Sequence, residues 1–268
     1  MKMQQYQLTS DDDVKLAYFT MGEGPAVVLI AGYGAPAISW VRQMKTLSKA
    51  GYRAIALDRR CHGLSEHTSK GLNMLRHGKD VHCLFESLDL HDAVLVGQSQ
   101  GASTVWSYIS QFGTSRLKAA VSVDQTPKMV NDGDWQLGMY GLNADTRPTF
   151  FDKPLPNPTK KSIAPDILLY ILRHKKEYPE FPMELTKPLL LDHADADWRA
   201  TIEKTEVPVL FINGGESPFW PPTHGEAMAK LATNGKFVVI PGSGHAVNWE
   251  CPKEFDKALL AFLSGVET

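Results

Sequence analysis

Ser99 stands in Gly97-Gln98-Ser99-Gln100-Gly101, after the apolar run Ala93-Val94-Leu95-Val96 and directly before a helical pattern reaching Phe112. A serine hydroxyl is a poor nucleophile near neutral pH and needs a base within hydrogen-bond reach. Of the nine histidines, His245 is the best placed, in the Gly-rich loop Pro241-Gly242-Ser243-Gly244 that follows the apolar run Lys236–Ile240. An imidazole base needs in turn a carboxylate to fix its tautomer and stabilise its charged form. Two acids compete for that role. Asp124 closes the apolar run Ala119–Val123, while Glu216 lies beside Ser217 in the loop after Val207–Ile212, a common home for such an acid. The strand end favours Asp124, because it aims a short side chain at a fixed place. Acyl transfer also needs two donors for a developing oxyanion. Position points to the backbone N–H of Gln100, next after Ser99, and that of Tyr33, in the loop Ala31-Gly32-Tyr33-Gly34.

These residues need a scaffold that brings strand ends together. A buried strand, Gly-x-Ser-x-Gly and an immediate helix are the layout of a nucleophile elbow. Glycines at plus and minus two let neighbouring segments crowd a strained serine. The helix N-terminus adds unpaired N–H groups. Around this stretch the chain has a rhythm. Residues 3–8 and 14–21 alternate polar and apolar across the turn Ser10–Asp13 and read as an antiparallel hairpin. Apolar strands at Ala26–Ile30 and Arg53–Leu57 then alternate with helices over about Ser39–Ala50 and Asn73–Leu88. That alternation argues a mostly parallel α/β sheet with helices on both faces.

From Gln125 to Thr205 the rhythm lapses into proline-rich loop and a few helices, such as Ile163–Lys175. So long a stretch without strands is too much for a simple connection. It reads as an inserted helical cap, residues 125–205, on a core of residues 1–124 and 206–268. Aromatic residues there argue against a disordered insert. Trp135, and Trp220 beyond it, are candidates to line a substrate pocket. The rhythm resumes with Val207–Ile212, the helix Thr223–Leu231, Lys236–Ile240 and a last helix from Pro252.

Composition narrows the function. The chain has 268 residues, 43 % hydrophobic and 22 % charged, with a formal net charge of -2. Without a basic run, no nucleic-acid or anionic-membrane partner is expected, and a small-molecule substrate is. No stretch of about 18 apolar residues is present to span a bilayer. Asp11, Asp12 and Asp13 occupy the place of an apolar signal core, and Cys61, Cys83 and Cys251 form no C-x-x-C pair. A cytoplasmic protein with reduced thiols is the expectation. His62, His67, His77, His82 and His91 cluster in sequence without a convincing metal spacing and read as solvated or capping. Gly22-x-Gly24 is no dinucleotide fingerprint, and no Walker-type motif appears. No metal or cofactor is expected.

With these residues in hand, the chain resembles the α/β-hydrolase superfamily, including its esterases and the bacterial hydrolases labelled non-haem haloperoxidases. The marks are Ala31-Gly32-Tyr33-Gly34, Asp58-x-Arg60-Cys61-His62-Gly63-x-Ser65, Gly97-Gln98-Ser99-Gln100-Gly101, and Gly244-His245 with Glu250-x-Pro252 beyond it. The resemblance implies Ser99 as nucleophile, His245 as base, and Tyr33 and Gln100 as oxyanion donors. Two positions depart from the pattern. Ser217 occupies the usual acid position, and Cys61 replaces a usual glycine. Haloalkane dehalogenase-like members and the cofactor-free quinolone dioxygenases carry the acid after the sixth strand, an arrangement that Asp124 fits. The expected activity is a serine carboxylic ester hydrolase. The alternatives are a cofactor-free dioxygenase using a His/Asp dyad, or a non-enzymatic ligand-binding regulator on the same fold.

Overall fold

A computed structural model describes residues 2–267. Its opening hairpin pairs β1 (Gln4–Thr9) antiparallel with β2 (Lys15–Met21). There follow β3 (Ala26–Ile30), α1 (Val41–Lys49), β4 (Arg53–Leu57), α2 (Met74–Ser87), β5 (Ala93–Gln98), α3 (Gln100–Phe112) and β6 (Leu117–Val123). After the long insertion come β7 (Val209–Gly214), α7 (His224–Leu231), β8 (Gly235–Ile240), α8 (Val247–Glu250) and α9 (Pro252–Glu267). Among the described residues the strands form one eight-stranded sheet in the order β1-β2-β4-β3-β5-β6-β7-β8. β2 meets β4 antiparallel, and every pair from β4 to β8 is parallel. This is the expected α/β class.

The central strands are buried on both faces, which is why they read as continuous apolar runs. Alternate residues feed two cores. Val28, Ile30 and Leu95 pack with Val81, Phe85, Val105 and Trp106 of α2 and α3. Val27, Leu29, Val94 and Val96 pack on the other side with Met44 of α1 and Phe255, Leu259 and Phe262 of α9. Local chemistry sets the helix ends. Asn73 caps α2 by accepting from Arg76 N at 2.8 Å, one of the orphan donors of a first turn. The expected first helix is split into a 3-10 turn, Ala37–Trp40, and α1 proper.

Between β6 and β7 the described residues form α4 (Pro165–His174), α5 (Met183–Asp195) and α6 (Arg199–Glu203) among long loops, with isolated bridges but no ladder strand. The far end of this insertion is continuous with the core beneath. Leu189, Trp198 and Ile202 belong to the same buried cluster as the α2–α3 face of the sheet.

Candidate active site

Parallel strands deliver their C-terminal ends to one edge, where loops meet. β5 brings Ser99, β6 brings Asp124, and the loop after β8 brings His245. Ser99 has φ +54° and ψ −128°, with α3 starting at the next residue. A non-glycine residue held there stores about 1–3 kcal/mol, so the packing around it must be tight, and it is. A Cβ on Gly97 would meet Gly101 O at 2.2 Å, and one on Gly101 would meet Ile30 O at 2.3 Å. Ser99 N donates to Val123 O at 2.9 Å, which pins the elbow to the residue before Asp124.

Asp124 is fully buried and carries its own positive φ, +43°. Its Oδ1 accepts from Gly214 N at 2.8 Å. Its Oδ2 lies 2.7 Å from His245 Nδ1 and accepts from Ser217 Oγ at 2.8 Å. Glu216, the alternative acid, is corrected. It is about half exposed and pairs with Lys160 Nζ at 3.1 Å, and the carboxylate at His245 is that of Asp124. The loop after β7 turns Ser217 inward and sends its neighbour to solvent.

His245 is nearly buried, its ring edge-on to Phe219 and Trp220 at centroid distances of 4.5 and 5.2 Å. With Nδ1–H directed at Asp124, Nε2 is the nitrogen left to accept a proton. Glu250 builds the loop that holds this ring. Its carboxylate accepts from Gly244 N and Ala246 N on either side of His245, and from Lys160 N and Lys161 N of the insertion, at 2.7–3.2 Å. His245 N donates to Pro158 O of the same insertion segment at 2.8 Å.

Ser99, His245, Gly32, Tyr33 and Gln100 border one cavity of about 330 Å³, walled by residues between β6 and β7 such as Met129, Leu155 and Leu190. Trp220 borders it as well. Trp135 does not line the cavity. Its indole donates to Thr126 Oγ1 at 3.1 Å and packs against the Arg199 guanidinium, bracing the base of the insertion. Sequence reasoning missed His193 of α5, which borders the cavity and is pulled down to about pKa 3, first by burial and then by Arg59 and His245. It stays neutral, and no local pattern in α5 could have marked it. His62 and His77, expected in solvated or capping roles, are instead buried, with pKa values held well below the usual imidazole range by burial and then by Arg59. Among the described residues no group of three or more His, Cys, Asp or Glu is arranged to hold a metal ion.

The chain belongs to the family with the alpha/beta hydrolase fold, whose sequence model matches residues 25–252. Within it, the non-heme chloroperoxidase CPO-A1 of Kitasatospora aureofaciens is 27% identical over 276 residues, 96% of this chain and 98% of that protein. The bifunctional esterase/perhydrolase DCH of Acinetobacter calcoaceticus is 26% identical over 290 residues, with the same coverage. The crystal structure of a bromoperoxidase from Bacillus anthracis superposes with a TM-score of 0.84 at 27% identity, covering 97% of this chain and 100% of that one. Fold and relatives together support hydrolytic chemistry. No helix of the described residues is long and apolar enough to cross a membrane.

Proposed function

We propose that this protein is a serine hydrolase of small or medium carboxylic esters. The observation that carries the reading is the 2.7 Å contact of His245 Nδ1 with the buried Asp124 carboxylate, beside the cavity that Ser99 also borders. Ser99 Oγ attacks the ester carbonyl while His245 Nε2 takes its proton. The N–H groups of Tyr33 and Gln100 receive the oxyanion. His245 then protonates the departing alkoxide, and the acyl group remains on Ser99. Water, deprotonated by the same imidazole, hydrolyses the acyl-enzyme and restores the serine. Asp124 holds the tautomer and stabilises the imidazolium. The cavity volume and its apolar walls suit a small-molecule substrate, and no step calls on nucleic acid, membrane or a second protein. The unpaired thiols fit a cytoplasmic setting.

Turnover of short-chain p-nitrophenyl esters by wild type and Ser99→Ala tests the reading, together with labelling of Ser99 by a fluorophosphonate. Loss of both turnover and labelling in the variant is expected, and equal turnover in the two proteins would refute it. The dioxygenase alternative draws on the same His245–Asp124 dyad, and oxygen uptake with a hydroxyquinolone that survives Ser99→Ala would favour it. Tight ligand binding without turnover across an ester panel would favour the regulator.

A further inference from the structure

A buried cation stands directly behind the proposed oxyanion site. Arg59 follows β4 and is 1% exposed. Its Nη2 donates to Gly32 O at 2.8 Å and lies 3.0 Å from His62 Nε2. Its Nη1 donates to Gln100 Oε1 at 2.5 Å and lies 3.2 Å from His77 Nδ1. His62 Nδ1 is 2.9 Å from Arg60 O and donates there, which leaves Nε2 as an acceptor for the guanidinium. All four partners of Arg59 are thus neutral. The contrast with the next residue is sharp. Arg60 is held by two carboxylates, Asp80 at 2.6 Å and Asp12 at 3.0 Å. Asp58, the acid adjacent to Arg59, spends its oxygens on Ala37 N and Leu64 N.

A desolvated charge with no carboxylate in direct contact is costly to keep, and Asp58 and Asp80 attract it only across space. Burial lowers the Arg59 pKa, to about 9, so the group is still charged at neutral pH. Its two anchors explain its place. They belong to the two segments whose backbone N–H groups are the proposed oxyanion donors, Gly32–Tyr33 and Gln100, both bordering the cavity. In a planar trans peptide the C=O and the N–H point in opposite directions. Tying Gly32 O back to Arg59 therefore turns the Tyr33 N–H the other way. Both Gly32 and Tyr33 border the cavity, and a Cβ on Gly32 would lie 3.0 Å from Ser99 Cβ. A cation on the carbonyl end of that peptide also polarises its N–H.

We infer that Arg59 is the positioning residue of the oxyanion hole, aiming the Tyr33 N–H through Gly32 and supplying positive potential that no directly bonded carboxylate neutralises before Ser99 has attacked. This rests on the serine-hydrolase reading above. The negative charge that completes the arrangement is the oxyanion itself, so stabilisation grows with the transition state rather than with substrate binding.

Two variants test it. Arg59→Met removes the charge at similar volume, and kcat is expected to fall about 30–100-fold with KM within about threefold. Affinity for a trifluoromethyl ketone, which forms an oxyanion on the serine, should fall by the same factor. Gln100→Glu approaches from the other side and guards against misfolding of the first variant. It gives Arg59 a carboxylate where an amide oxygen now sits and removes the buried, unpartnered Gln100 Nε2. Its Tm should hold or rise while kcat drops at least about tenfold, because the cation is then already paired. Turnover within threefold of wild type there overturns the inference, whatever Arg59→Met does. A wild type that is active and labelled at Ser99, with an active Gln100→Glu, defeats this inference alone. A wild type that is neither active nor labelled defeats the hydrolase reading itself.

Discussion

Ser217 Oγ donates to Asp124 Oδ2 at 2.8 Å, the same oxygen that His245 Nδ1 meets at 2.7 Å. A hydroxyl therefore stands in the loop that often carries the acid, and it orients an acid supplied by the neighbouring strand. Asp124→Asn replaces the acceptor with an amide and leaves His245 in the wrong tautomer, so kcat should fall by about 10³–10⁴. Ser217→Ala removes one of three donors and should cost about 3–10-fold, in keeping with about 1 kcal/mol for one hydrogen bond when the other two donors remain. Glu216→Gln should leave ester turnover within twofold. Steady-state kinetics on one p-nitrophenyl ester settles all three, and a large loss in Glu216→Gln would return the acid to that loop.

Glu250 receives four backbone N–H groups from two segments that are distant in sequence. Glu250→Ala strands these donors, and charge-assisted bonds of this kind contribute about 1.5–3 kcal/mol each when partners are lost. We expect urea unfolding to show a loss of about 3 kcal/mol or more. The ester kcat should fall as well, because the loop bearing His245 loses its brace.

Asp58 is held at a raised pKa, about 7, because burial outweighs the N–H groups of Ala37 and Leu64 that favour its charge. The folded chain thus binds this proton more tightly than the unfolded chain does. That contribution is complete below the ordinary carboxylate range and declines as pH rises toward about 7. Wild-type stability measured by urea should drop between pH 5 and pH 8 by about 1–3 kcal/mol from this group. Asp58→Asn, which cannot titrate, should show a shallower decline. A variant with the wild-type slope would remove Asp58 from the account.

Gly101→Ala sets a methyl group 2.3 Å from Ile30 O and 2.7 Å from Ala31 O. Backbone on both sides cannot yield as a flexible side chain would. The expected loss exceeds the about 1–3 kcal/mol of ordinary overpacking, and thermal melting should report a clearly lowered Tm or a protein that fails to accumulate.

The elbow and the sheet were legible in the sequence because each rests on local chemistry. Val27, Leu29, Val94 and Val96 form uninterrupted apolar runs since both faces of the sheet are covered, and Gly97 is a glycine for a steric reason that acts within the elbow itself, against Gly101 O. The preference for Asp124 was readable on the same ground, as a side chain at a strand end. Other parts depend on what lies across space. Trp135 and Trp220 look alike in sequence, yet one braces the insertion and the other borders the cavity, because only the path of the loops decides. His193 and Glu250 act through residues far along the chain. His62 and His77 are buried and meet Arg59, whose own position follows from the β4 loop. The left-handed φ of +62° at Cys61, where a glycine is usual, is met by a Cys61 Sγ–Thr68 O contact of 3.1 Å, and no spacing rule anticipates it.

The double hold on the insertion, Glu250 on Lys160 and Lys161 and Pro158 O on His245 N, ties that segment to the loop that carries His245. A substitution that displaced that segment would slacken the loop that aims the imidazole. Pro158 also borders the cavity, so the cavity wall and the imidazole loop are one mechanical piece.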